Sequence, residues 1–175
     1  MASTNSTYID ELRAHGRLSH QQWLVLLIAA QNNPACAEEI RACAHAIRER
    51  YFGRTVYIRG LIELSNYCRN DCFYCGIRKS NGEVSRYRLS LDEILGCCQV
   101  GYDLGFRTFV LQGGEDAWFN DDRLAELVAA IRTRHPDSAI TLSLGERSRE
   151  SYERLFAAGA NRYLLRHEAV NTELY

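Results

Sequence analysis

The sequence predicts an α/β fold in which helical crossovers connect the strands of a parallel sheet, with further helices ahead of it. Two observations support this prediction. After Gly53, short runs of branched and aromatic residues alternate with amphipathic stretches, which is the pattern of strand–helix–strand units. The strand-like runs are also almost continuously apolar, as expected for parallel strands that are buried on both faces.

The first fifty residues predict helices. Ser19 and Gln22 form a capping-box pattern ahead of an amphipathic run that starts at Trp23. A second helix is expected over residues 36–52, with Gly53 as its end. We therefore expect an N-terminal helical segment over residues 1–54 and a sheet-containing domain over residues 55–175.

The later part of the chain predicts four strand–helix units, or about half of a closed (β/α)8 barrel, which takes about 250 residues. In chain order, the predicted elements are a strand within residues 56–64, a helix from the Ser90–Glu93 capping box to Leu104, a strand at 108–111, a helix at 121–133, a strand at 139–144, a helix at 148–158 and a strand at 162–165. We therefore expect a partial barrel, either a fragment or an isolated half-barrel, with an exposed sheet edge.

Composition and charge argue against several classes of protein. The 175 residues include 21 basic and 22 acidic ones, with a formal net charge of −1, so nothing indicates a nucleic acid or an anionic membrane as a partner. The longest uninterrupted apolar run covers residues 23–30, far short of the roughly 20 residues that span a bilayer. The N-terminus has neither a basic start nor an apolar signal segment, so we expect a cytoplasmic protein. Its 7 cysteines then indicate metal binding or reactivity rather than disulfides.

The strongest chemical signal is a cysteine triplet, Cys68, Cys72 and Cys75. This spacing would also place three cysteines on one face of a helix, but the neighbouring asparagines and Gly76 favour a loop after the first strand. A loop can wrap its thiolates around an iron–sulfur cluster, and three thiolates on a four-iron cluster leave one iron open. A structural zinc site usually takes four ligands from paired motifs, and the triplet has no matching pair. A fourth cysteine ligand is the open alternative, from Cys43, Cys97 or Cys98, although at most one of the last two faces the core of a predicted helix.

Polar groups follow each of the other predicted strands, at residues 112–116, 145–147 and 166–168. The carboxyl ends of parallel strands meet at one face of a barrel, so these groups are expected to converge with the cysteine loop. Gly113 and Gly114 would let the backbone approach a ligand closely, and Glu115 offers an acceptor for an ammonium group; a solvated turn is the alternative. Arg166 and Glu168 point to the same side of an extended segment, where they could grip a zwitterionic ligand or simply pair with each other.

The triplet with an aromatic residue, Tyr74, directly before its last cysteine resembles the motif of the radical S-adenosylmethionine (SAM) superfamily. This resemblance implies that the three cysteines hold a [4Fe-4S] cluster whose fourth iron binds SAM. It also implies that the reduced cluster cleaves SAM to methionine and a 5′-deoxyadenosyl radical. The segment Gly113, Gly114 and Glu115 resembles the superfamily's GGE motif, which contacts the SAM amino group.

Longer stretches resemble one group within that superfamily, the HydE-type [FeFe]-hydrogenase maturases of the biotin-synthase-like branch. The similar segments include "LIELSNYCRNDCFYCGIRKSN" and "GYDLGFRTFVLQGGEDAWF", and they continue in order to the end of the chain. The resemblance implies a radical SAM-type (β/α)8 barrel, of which this chain matches about the first half. It further implies an enzyme of H-cluster maturation, with a small-molecule or iron-complex substrate and other hydrogenase maturation proteins as partners.

The same resemblance implies roles for individual residues. Tyr74 would lie near the adenine of SAM, and Gly114 and Glu115 would meet its methionine end. The other residues implied to line the SAM site or the cavity are Ser143, Arg162, Arg166 and Glu168. Alternative functions are another biotin-synthase-like radical SAM enzyme, such as methylornithine synthase or a sulfur-inserting enzyme, and a non-catalytic metal-binding module.

Overall fold

The structure is a computed structural model that describes residues 4–166. The chain divides into two compact units, Met1–Tyr57 and Ile58–Tyr175. The first unit is helical and is built around the buried side chains of Ile9, Leu26 and Cys36. Its helices are α1 (Thr4–His15), α2 (His20–Asn32) and α3 (Pro34–Phe52).

Local capping signals determine where these helices begin and end. The predicted capping box is confirmed, since Ser19 Oγ accepts from the Gln22 N–H and the Gln22 side chain accepts from the Ser19 N–H. Helix α3 begins at Pro34, two residues before the predicted start, because the Asn33 side chain caps it and proline suits a first turn. It ends, as predicted, at Gly53, whose φ of 62° favours glycine. Helix α1 was not predicted as a separate element, because its sequence carries few apolar residues and no capping box.

The second unit contains a four-stranded sheet with the order β1-β2-β3-β4, in which every neighbouring pair is parallel. The predicted parallel α/β fold is therefore confirmed. Its described elements are β1 (Gly60–Ser65), α4 (Leu91–Asp103), β2 (Thr108–Gly113), α5 (Asp121–Arg134), β3 (Ala139–Ser143), α6 (Arg149–Ala157) and β4 (Arg162–Tyr163).

Three strands are shorter than predicted, β3 by its last residue only and β1 and β4 by more. Strand β1 begins at Gly60 because its partner β2 begins at Thr108, and Gly60 already pairs with Phe109. Val56, for which the sequence predicts a strand, is therefore unpaired in the sheet and is 76% exposed. Strand β4 ends at Tyr163, although the N–H of the next residue still bonds to Leu142 O at 2.8 Å.

Helices cover one face of the sheet. Along β1, Ile62 and Leu64 are buried in the core while the alternating residues Leu61 and Glu63 are exposed. The core continues through β2 and β3 to helix residues, among them Ile94, Leu127 and Ile131. This packing fixes the strands, so that their carboxyl ends present adjacent loops at one edge of the sheet. Within residues 4–166, no helix is both long enough and apolar enough to cross a bilayer.

Candidate functional site

The cysteine triplet lies in a loop, in agreement with the sequence-based prediction. Between β1 and α4 the chain makes successive turns, and no helix passes through the three cysteines. The N–H of Cys75 bonds to Cys72 O at 3.0 Å, and the N–H of Arg78 bonds to Cys75 O at 3.2 Å. The alternative in which the triplet occupies one face of a helix is therefore wrong.

Two polar side chains hold the ends of this loop together. Asn66 is largely buried, donates to Ser85 O at 2.8 Å and accepts from the Tyr87 N–H at 2.8 Å. The Arg86 guanidinium donates to four loop carbonyls, those of Asn66, Ile77, Arg78 and Asn81. Because partly buried carbonyls still need donors, one arginine here replaces the regular hydrogen bonds that the loop lacks.

Asp116 joins the carboxyl ends of β1 and β2. Its carboxylate accepts hydrogen bonds from Ser65 Oγ at 2.7 Å, from Arg88 Nε at 2.6 Å and Nη2 at 3.0 Å, and from the Trp118 N–H at 3.0 Å. Burial alone would raise the pKa of Asp116, but the hydrogen bonds from Arg88 and Ser65 outweigh it, so the pKa lies below its ordinary value. The carboxylate therefore stays ionised and ties the start of the cysteine loop to the end of β2.

The segment after β2 packs directly against the cysteine loop. A Cβ on Gly114 would overlap the carbonyl oxygen of Tyr67 and come within 2.8 Å of the Cys68 Cβ, so only glycine allows this approach. The N–H of Glu115 points to Cys68 Sγ at 3.4 Å, and the N–H of Arg69 donates to Glu115 O at 3.1 Å. The predicted close approach of backbone at the glycine pair is thus an approach to the cysteine loop itself.

One cavity of about 360 Å³ lies at the carboxyl ends of the strands. It brings together nine of the residues that the sequence analysis singled out, namely Cys68, Cys72, Tyr74, Cys75, Gly113, Gly114, Glu115, Ser143 and Arg166. Glu168, which was also predicted as a site residue, lies outside the described residues. Arg162 is not in this cavity; it lies on β4 and lines a separate one of about 350 Å³, because its place in the strand directs it away from the loop end.

The sequence analysis missed Arg69, and it gave no individual role to Gly145 or Gln112, which it placed only among the polar groups that follow the strands. Arg69 makes a salt bridge to Glu115, with Nη2 2.7 Å from Oε2. Gly145, at a φ of 78°, leaves room for the Glu115 side chain, which a Cβ at that position would overlap. Within the sheet, the Gln112 side chain donates to Glu63 Oε1 at 2.9 Å, and Gln112 pairs in register with Ser143. The runs that form β1 and β2 are almost continuously apolar, so no alternation in the sequence marked this polar pair.

The described residues bear on the alternative in which a fourth cysteine ligates the cluster. All seven cysteines are free thiols, and no cysteine outside the triplet lines the cavity within residues 4–166. Cys98 is fully buried in α4, where burial raises the pKa of its thiol to about 12. Cys97 is exposed and lines another cavity, beside β1.

The fold is that of a known class of protein. Residues 62–175 match the family model of the radical SAM superfamily, and the chain belongs to that superfamily. Its members generally carry a [4Fe-4S] cluster and use SAM.

Among curated relatives, the chain is 42% identical over 144 residues to the [FeFe] hydrogenase maturase subunit HydE of Thermotoga maritima, covering 82% of this chain and 41% of the relative. It is 33% identical over 140 residues to 3-methylornithine synthase of Methanosarcina barkeri, covering 79% of this chain and 39% of that one. The crystal structure of methylornithine synthase (PylB) superposes with a TM-score of 0.83 at 28% identity, over 95% of this chain and 49% of that one. The chain thus spans less than half the length of each of these relatives.

The residues present fit a cluster held by three thiolates. Cys68, Cys72 and Cys75 are half-buried free thiols that line one cavity, and a main-chain N–H points to the sulfur of the first. Such N–H groups are a usual part of the surroundings of cluster sulfurs. Within the described part of the chain, no three Cys, His, Asp or Glu side chains are close enough to share a single metal ion. A cluster of several irons does not need such convergence, because each thiolate binds a different iron.

Proposed function

We propose that this chain carries the cluster and the SAM site of a radical SAM enzyme that acts in [FeFe]-hydrogenase active-site maturation. The observation that carries the proposal is the single cavity in which the three cysteines of the loop meet the Gly-Gly-Glu segment of the next strand. When bound, the reduced cluster supplies the electron for cleavage of SAM to methionine and a 5′-deoxyadenosyl radical.

In this proposal each residue of the cavity has a defined task. Cys68, Cys72 and Cys75 ligate the cluster, and the Glu115 carboxylate accepts a hydrogen bond from the amino group of SAM. Arg166 offers its guanidinium to a carboxylate. Further lining comes from Tyr74 against the adenine and from Gly113, Gly114 and Ser143, with Glu168 as an additional SAM-site residue.

A sharp test compares two cysteine variants. After anaerobic reconstitution with iron and sulfide, the wild-type protein is expected to be brown, and its reduced electron paramagnetic resonance spectrum is expected to change when SAM is added. Cys72→Ala should lose this spectrum and most of the iron. Cys97→Ala is the matched control, because Cys97 is exposed on α4 outside the cavity, and it should behave as wild type. A colourless wild-type protein holding one tightly bound zinc, or a spectrum that SAM leaves unchanged, would contradict the proposal.

The maturation role itself is supported by the similarity to HydE, and it brings with it a small-molecule or iron-complex substrate and other maturation proteins as partners. Methylornithine synthesis is the second candidate, because a methylornithine synthase is the solved structure at TM-score 0.83. Expression in a hydrogenase-producing host that lacks its own HydE-type maturase separates the two. Restored hydrogen evolution would support the first, whereas accumulation of 3-methylornithine without hydrogen evolution would support the second.

A further inference from the structure

Glu115 is held from two sides by residues that lie on different loops. Arg69 Nε and Nη2 both contact the same carboxylate oxygen, Oε2, at 2.9 Å and 2.7 Å. The other oxygen, Oε1, lies against Gly145, where a Cβ would come within 2.5 Å of it. The two oxygens of one carboxylate are therefore in different surroundings.

Two cavities meet at this carboxylate. Glu115 and Glu146 line the cysteine cavity and also a neighbouring polar cavity of about 300 Å³. Arg69 lines only the second cavity, whereas Gly145 lines only the cysteine cavity. Arg69 thus contacts Glu115 from the polar cavity, and its guanidinium contacts Oε2 and not Oε1, the oxygen on the side of Gly145.

The backbone reduces the entropic cost of this ion pair. An exposed arginine that pairs with a carboxylate normally loses much side-chain freedom, and such pairs contribute little. Here the Arg69 N–H already donates to Glu115 O at 3.1 Å, so the two residues are fixed next to each other before their side chains meet. The Glu115 side chain is only 18% exposed, which limits the screening of the pair by water.

We propose that Arg69 is a positioning residue for SAM binding: it holds Oε2 of Glu115 so that Oε1 faces the cavity and receives the amino group of the ligand. The inference rests on the proposed function, because it assigns an orienting partner to the residue that contacts SAM there. The alternative role for Arg69 is that of a cation that competes with SAM for Glu115. A competing cation would have to leave before the ligand binds, whereas a positioning cation stays and improves binding.

The test measures SAM affinity by isothermal titration calorimetry on the anaerobically reconstituted protein. Arg69→Met is expected to weaken SAM binding about tenfold, as for loss of a hydrogen bond to a charged group, and Arg69→Lys only part of that. Arg149→Met is the matched control, since Arg149 pairs with a glutamate on the exposed face of α6 and should leave the affinity unchanged. For an analogue of SAM that lacks the amino group, wild type and Arg69→Met should bind equally.

Each outcome decides the inference. Unchanged or tighter SAM binding by Arg69→Met overturns it, and so does an equal loss of affinity for the analogue without the amino group. If Arg69→Met loses iron or unfolds more than a few degrees below wild type, Arg69 holds the loop in place, and this result likewise overturns the inference. Arg69→Lys, which keeps the positive charge, is the check on this outcome. If wild type itself binds no SAM while retaining its cluster, the proposed function fails first and the inference with it.

Discussion

Replacing Asp116 by asparagine is expected to lower the free energy of unfolding by about 3 kcal/mol, because the carboxylate is the common partner of three groups that have no substitute. Asparagine keeps the size of the side chain but turns one of the two acceptor oxygens into a donor. Whichever way the amide faces, an N–H group then opposes a hydrogen atom of Arg88 or Ser65. The hydrogen bonds at risk are 2.6 to 3.0 Å long in the structure.

The magnitude follows from the burial of the two charges. Removing one partner of a buried ion pair costs about 3 to 5 kcal/mol, since the remaining charge is left without compensation. The Asp116 side chain is 4% exposed, but that of Arg88 is 36% exposed, so water can solvate part of the orphaned guanidinium. The lower end of the range is therefore expected, which corresponds to a fall in melting temperature of roughly 10 °C.

The assay is urea and thermal unfolding of the wild type, Asp116→Asn and a control, Asp122→Asn. Asp122 also pairs with an arginine, Arg154, but their side chains are 77% and 51% exposed. An exposed pair of this kind contributes about 0.5 kcal/mol or less. If the two variants unfold at the same denaturant concentration, the reasoning from burial is refuted.

Three further outcomes are expected. Gly114→Ala should lose most of its iron after reconstitution, because its Cβ overlaps main-chain atoms, whereas Gly82→Ala, with no atom within 4 Å of the new Cβ, should keep it; equal iron contents would contradict this. The difference in unfolding free energy between wild type and Asp116→Asn should shrink as the pH falls below about 4, because the pKa of Asp116 is lowered in the folded protein and protonation removes the stabilisation by its carboxylate. Urea titrations at several pH values measure this difference, and a difference that stays constant with pH would be evidence against the prediction. Iodoacetamide at pH 8 should label Cys97 but not Cys98 in the folded protein, since burial raises the pKa of Cys98 to about 12; labelling of both at one rate, seen by peptide mass spectrometry, would disprove it.

Much of the fold could be predicted from local patterns. The capping boxes at Ser19 and Ser90 mark helix starts because a side chain and the backbone three residues away satisfy each other without any distant partner. Apolar runs mark the buried strands because the side chains of a parallel strand are covered by other elements. The prediction was wrong where pairing decides the result: residues 56–58 have strand-forming side chains, but β2 offers no residues opposite them.

The convergence of the predicted site also follows from sequence order, given a parallel sheet. Cysteines after β1, glycines after β2 and Ser143 at the end of β3 line one cavity because parallel strands all end at the same edge. Arg162 shows the limit of such reasoning, since its position within β4 directs it to a different cavity.

The amino-acid sequence by itself determined the order of strands and helices and the loop character of the cysteine triplet. These depend on spacing, capping and alternation, which act over a few residues. Only the tertiary structure decided which side chains hold the site in place. Asp116 bonds to Ser65 across 51 positions of sequence, and Arg69 reaches Glu115 across 46. No local period encodes such a pair, because the distance between its members is set only when the strands have packed side by side.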